Sequence, residues 1–251
     1  MNEQEQGPES FESSGEETVF QYRHFNQNDP RFNDLKRIFP DYRGFCWYAC
    51  LVMAADAVQP DKNQAVVMRE LNHAIFKTDR PATMEIFREM RESGENTQTF
   101  FREGVLDFLD FRTAGLKRSF HMRHPREFSS FANQLFRRNG VNLELDIKNI
   151  LIRPDSFQNF IPTLEGIVAQ HKVPILPNVV HNREGKIIAG HFVMVGGITE
   201  NKIIVSDPNE PEPAKISHAA FVRYLDEGIE LKNGKRMHYD PRAGIFTLSV
   251  R

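Results

Sequence analysis

Three residues of this chain combine side-chain type and surroundings in a way suited to nucleophilic chemistry: Cys46, His191 and Asp207. Cys46 follows the Gly44-Phe45 break at the head of Gly44 to Val58 (GFCWYACLVMAADAV), an apolar run that reads as a helix closed by Pro60. A cysteine in the first turn of a helix meets unpaired backbone N–H groups and the positive end of the helix dipole, and both stabilise thiolate. Cys50 lies one turn further in, where the same periodicity turns it to the core. Most free cysteines are small buried hydrophobes, so the cysteine pair alone does not establish a site.

The partners come from Gly190 to Pro208 (GHFVMVGGITENKIIVSDP), which reads as a strand, a glycine turn containing Glu200 and Asn201, a second strand and an Asp-Pro stop. In such a hairpin His191, at the start of the first strand, and Asp207, at the end of the second, come to lie side by side. A general base and the carboxylate that orients it require that placement. A lone histidine before an apolar strand is more often structural, and Asp-Pro is usually a turn. Their pairing across one hairpin favours the catalytic reading: thiol-dependent acyl transfer, with Cys46 as nucleophile, His191 as base and Asp207 holding the imidazole tautomer.

The elements that must position these residues follow from the periodicities. Residues 1–18 are acidic and polar and cannot repay the entropy of ordering, so they are expected to form a flexible tail. From Asn63 to about Asn139 the pattern is helical, through Val67, Leu71, Met84, Phe87, Met90, the run VLDFLDF and FSSFANQLFRRNG. Strand signals concentrate in the second half, at Asn142 to Ile147, Val173 to Val180, His191 to Val195, Lys202 to Ser206 and Gly244 to Val250, with a helical IPTLEGIVAQH before the second of these. No internal repeat or alternating βαβ unit is visible. The expectation is an α+β chain, with a helical N-terminal half packed on a mainly antiparallel sheet.

With 251 residues, 40% hydrophobic and 26% charged, the chain can bury one sizeable core. The formal charge of −2 gives no reason to expect a surface for nucleic acid or anionic membrane. Apolar runs such as Ile187 to Gly197 fall far short of the ~20 residues of a membrane span. The N-terminus lacks the basic start and apolar segment of a secretory signal, so the expected location is the cytoplasm, or a host cell reached by signal-peptide-independent export. Two cysteines four residues apart make neither a disulfide framework nor more than half a zinc site. The basic stretch from Arg112 to Arg126, with Lys117, Arg118, His121, Arg123 and His124, reads first as a solvated helix face and second as a patch for an acidic partner. His121 and His124 have metal-ligand spacing but no further ligand, so no metal or cofactor is expected.

On these residues the chain resembles the bacteriocin-processing-like cysteine peptidases, a branch of the papain-like fold. Their Cys-Gly-Pro-Ala-Ser-Leu-x-Met opening is similar to Cys46-Trp47-Tyr48-Ala49-Cys50-Leu51-Val52-Met53, and Trp47 after the cysteine is similar to papain. Their Gly-x-Pro-Val-Ile strand resembles Lys172 to Leu176, their Gly-His-Phe-Val-Val-Val-x-Gly … Val-x-Asp-Pro block resembles Gly190 to Pro208, and the helix that follows resembles Ile216 to Tyr224. The resemblance covers residues 160–227 well and 44–54 moderately. It implies a papain-like catalytic domain over residues 19–251 with a helical insert at about 63–140, a Cys46, His191, Asp207 triad, no cofactor, and a protein or peptide substrate whose amides a cysteine protease would cleave.

The chain departs from that family in two places. Papain-like enzymes carry a glutamine about six positions before the cysteine to help hold the oxyanion. Here Phe39-Pro40-Asp41-Tyr42-Arg43 has no amide, and Gln27, Asn28 and Asn33 are the upstream amides that could serve. Cys46 and His191 also stand 145 positions apart (191 − 46), long for processing peptidases and too long for a transglutaminase, whereas injected bacterial proteases and glutamine deamidases share this residue order with helical inserts. A deamidase effector and a catalytically inert papain-like binding module are therefore the alternatives to a protease. Oligomeric state is not indicated.

Overall fold

The computed structural model describes residues 17–33, 37, 45–77, 80–92, 125–148, 159–231 and 234–251. The central element is helix α1, Phe45–Val58, in which every residue from Phe45 to Ala57 is buried. A helix that is apolar all round has no solvent face to present and must run through the core. Its one buried charge, Asp56, lies near the C-terminal end, where the helix dipole disfavours a carboxylate. That carboxylate accepts hydrogen bonds from the Arg23 backbone N–H (2.8 Å) and from Gln64 Nε2 (3.2 Å). The helix stops before Pro60, as expected from the restriction that proline imposes on the residue ahead of it.

Helices α2 (Gln64–Asn72), α3 (Arg80–Glu92) and α4 (Pro125–Arg138) follow, with a π-helical turn at His73–Lys77 between the first two. The helical reading of residues 63–139 therefore holds where the chain is described. The VLDFLDF run and the basic stretch, apart from Arg126 in α4, lie outside the described residues, as do His121, His124 and Phe39 to Arg43. So do residues 1–16 of the expected tail. The chain is paired from strand β1, Thr18–Val19, onward.

The second half supplies β2 (Leu143–Lys148), α5 (Phe160–Val168), β3 (Val173–His181), β4 (Ile187–Ile198), β5 (Lys202–Ser206), β6 (Ala214–Ser217), α6 (His218–Glu227), β7 (Ile229–Glu230), β8 (Arg236–Tyr239) and β9 (Ile245–Val250). The main sheet runs β2-β9-β3-β4-β5-β6, with β8 and β7 added beside β3 and β1 beside β4, and every described pairing is antiparallel. The helical N-terminal half packs on this sheet, as expected.

Two corrections apply to individual elements. Ile216 belongs to β6, paired with Ile203, and the helix begins at His218 with the Ser217 hydroxyl as its N-cap. β4 begins four residues before His191, because Ile187 to Gly190 extend the β3–β4 hairpin beyond the buried part of the strand.

Side chains alternate across β4. Phe192 and Met194 join α1 and α4 in one core, while Val193 and Val195 join α5 and α6 in another. The sheet is thus buried on both faces around its centre, and α1 is pressed against the strands that carry the site residues.

Candidate active site

Cys46 is the second residue of α1, within the first helical turn, and is 6% exposed. His191 stands on β4 directly opposite Asn178 of β3 and is 5% exposed. Asp207 follows the last residue of β5, and the Met194–Ser206 pairing of β4 and β5 brings it to His191. The ring Nε2 lies 2.7 Å from Asp207 Oδ1. Cys46 is the other group that acts on the ring, as a side-chain hydrogen-bonding neighbour and as a charge, and both raise its pKa. With Nε2 taken by the carboxylate, the thiol is left with Nδ1. The three residues singled out in the sequence therefore meet at one point, in the order thiol, imidazole, carboxylate.

The electrostatics of the trio are those of an ion pair in a dry setting. Burial disfavours the imidazolium of His191, but the hydrogen bonds and charges of Asp207 and Cys46 outweigh it and push the ring up to about 10. Burial likewise works against the Asp207 carboxylate and is outweighed by His191, with help from the Asn209 backbone N–H (2.8 Å) and the charge of His24, so Asp207 sits below the usual carboxylate range. Cys50, one turn along α1, is fully buried, and desolvation reinforced by Cys46 and Asp207 drives its thiol well above the ordinary value. That thiol is unsuited to attack, in agreement with its expected core role.

Three neighbours of the trio, Asn178, Tyr224 and Asn209, have no signature in the sequence. Behind the imidazole, buried Asn178 accepts a hydrogen bond from the Tyr224 hydroxyl of α6 and donates to the Leu176 carbonyl at 3.1 Å. In front of it, Asn209 places its amide 3.3 Å from His191 Nε2 and meets the Gln27 amide. Since Nε2–H already donates to Asp207, the consistent arrangement turns both amides over, so that Asn209 Oδ1 accepts from Nε2–H and its NH2 donates to Gln27. Gln27 is one of the three amides expected to approach the site, and it does so at the His191 and Asp207 end. Asn28 donates its backbone N–H to Asn26 Oδ1 at 2.8 Å. Asn33 closes a short 3-10 turn at Pro30–Phe32.

A strap of chain from Thr18 to Gln27 holds the turn that bears Asp207. Phe20 N–H donates to Gly196 O (3.0 Å), Tyr22 hydroxyl meets Ser206 Oγ (2.6 Å), His24 Nε2 and Asn26 Nδ2 donate to Glu210 O (2.9 and 3.1 Å), and Gln27 N–H donates to Pro208 O (2.8 Å). Gly196 and Gly197 make room for the strap. A Cβ at Gly196 would overlap the Tyr22 ring, and one at Gly197 would lie 2.9 Å from the Thr18 carbonyl.

Among the described residues no cluster of three or more His, Cys, Asp or Glu could hold a metal ion, and no helix is long and apolar enough to cross a membrane. No protein-family model matches the chain, and no curated protein matches it either.

Proposed function

We propose that this protein is a papain-like cysteine hydrolase acting on protein or peptide amides, with protease action as its first assignment. The observation that carries the reading is the His191 ring, hydrogen-bonded to Asp207 through Nε2 and raised in pKa by Cys46, which stands in the first turn of a helix.

The chemistry follows from those contacts. Cys46 attacks the carbonyl carbon as thiolate, with its charge balanced by the imidazolium of His191. The oxyanion is met by backbone N–H groups of the first turn of α1, that of Cys46 foremost. The C–N bond breaks as His191 gives its proton to the leaving amine, and a thioester remains on Cys46. Water then attacks the thioester, His191 takes the water proton, and the thiolate is released with the acid product. Asp207 keeps Nε2–H pointed at itself, so that Nδ1 always faces sulfur.

A catalytically inert binding module is the second reading, favoured by the low exposure of both Cys46 and His191. Iodoacetamide separates the two: an activated Cys46 alkylates fast near neutral pH, and an inert buried thiol does not. Candidate substrates incubated with the protein and with Cys46→Ala are then compared by mass spectrometry. Cleavage identifies a protease, and a gain of about one dalton identifies a glutamine deamidase.

A further inference from the structure

Strands β3 and β8 bring two histidines together away from the cysteine site. Val179 pairs with His238 and His181 with Arg236, so His181 and His238 are diagonal neighbours on one face of the sheet. Their rings lie 4.7 Å apart, tilted by 32°. His181 Nδ1 is 2.8 Å from the Gly185 carbonyl, and His238 Nδ1 is 2.9 Å from the Tyr239 carbonyl. A carbonyl oxygen can only accept, so each Nδ1 carries a hydrogen, and in each neutral ring Nε2 is a bare lone pair. The two Nε2 atoms are 3.0 Å apart. Two lone pairs aimed at each other repel unless a cation, either one proton shared as N–H···N or a metal ion, lies between them or beside both.

The geometry points to a site for a divalent first-row transition metal, held by Nε2 of His181 and Nε2 of His238. Both Nδ1–H groups already donate to carbonyls, the outer-shell arrangement that fixes the tautomer of a metal-ligating histidine. With metal–nitrogen bonds of about 2.05 Å, a nitrogen separation of 3.0 Å corresponds to an angle at the metal of roughly 95°. That is the cis angle of square-planar or octahedral coordination, the preference of Cu²⁺ and Ni²⁺. Tetrahedral Zn²⁺ would need the rings to open to about 3.4 Å. No third ligand stands in the described residues, so solvent fills the remaining positions and loading is reversible. The metal would tie β3 to β8 three residues along from Asn178, which stands opposite His191, a distance of about 10 Å along the strand. Nothing in this site depends on the proposed chemistry of Cys46.

Titration calorimetry and thermal melts with NiCl₂, CuCl₂ and ZnCl₂ test the site, on full-length Cys46→Ala so that the Cys46 thiol cannot contribute. One metal per chain is expected, with Cu²⁺ and Ni²⁺ bound more tightly than Zn²⁺ and with Tm raised on loading. His181→Gln and His238→Gln should each weaken binding about tenfold or more and abolish the rise in Tm, while His218→Gln keeps both. Imidazole ¹⁵N spectra of the parent protein supply a second measurement, with both Nε2 signals moving together on loading. Absence of binding at about 1 mM metal, undiminished affinity in either His→Gln variant, or movement confined to other histidines would overturn the assignment.

Discussion

Replacing Asp207 by Asn tests the electrostatics of the trio without needing a substrate. In the wild type the His191 ring is held at about 10 against its usual 6.5, by the hydrogen bonds and charges of two partners acting against burial. Asp207 supplies two of the four favourable contributions and Cys46 the other two. Removing the carboxylate charge leaves the burial penalty in place, so the ring should titrate well below the wild type. Every two pH units of that fall are worth about 3 kcal/mol. Because the folded value is raised above the unfolded one, the stabilisation is fully present below pH 6.5 and is lost as pH rises through about 10 in the wild type. In Asp207→Asn it should be smaller and lost at lower pH. Imidazole ¹⁵N titration of His191 reads the midpoint, and urea unfolding at pH 6 and pH 9 reads the stability. The same variant should hydrolyse substrate ~10²–10⁴ times more slowly. A His191 midpoint unchanged by Asp207→Asn would refute the ion-pair account, whatever happened to the rate.

Cys46→Ala should lose the fast alkylation by iodoacetamide while Cys50→Ser keeps it, read by intact mass after a short pulse at neutral pH; equal loss in two folded variants would remove the distinction between the cysteines. Tyr224→Phe strands the buried Asn178 oxygen and should cost about 1–3 kcal/mol in urea unfolding. Gly196→Ala drives a methyl into the Tyr22 ring and should lower stability by about 1–3 kcal/mol, visible as a drop in Tm. A variant as stable as the wild type would mean that the strap is not seated on β4.

The trio was legible because each of its members sits at a place the local pattern marks: a break before a helix, an apolar strand and an Asp-Pro stop. Helix α1 and strand β5 match their expected bounds nearly residue for residue, since strong periodicity and flanking turns define them, whereas β4 is longer at both ends than its expected His191 to Val195. Strand β8 carries little signal in the sequence, because Arg236 to Tyr239 is polar, short and only partly buried. Ile216 was read as helical because an apolar residue just ahead of a helix fits either period. The roles of Asn178, Asn209 and Tyr224 depend on pairings between distant segments, which no spacing along the chain records. The same holds for His181 and His238, 57 positions apart and joined only by the register of β3 with β8.

The strap also sets an order of events during synthesis. Its contacts with Ser206 and Glu210 span 184 to 186 positions, so Tyr22, His24 and Asn26 leave the ribosome long before the residues they hold. At ~5–20 residues per second, that gap is on the order of ten seconds or more. Cys46 likewise waits for His191. A nascent chain therefore carries Cys46 without His191, Asp207 or the strap's contacts across the Asp207 turn. On the proposed function, hydrolytic competence would arrive only after the chain has been made past Glu210.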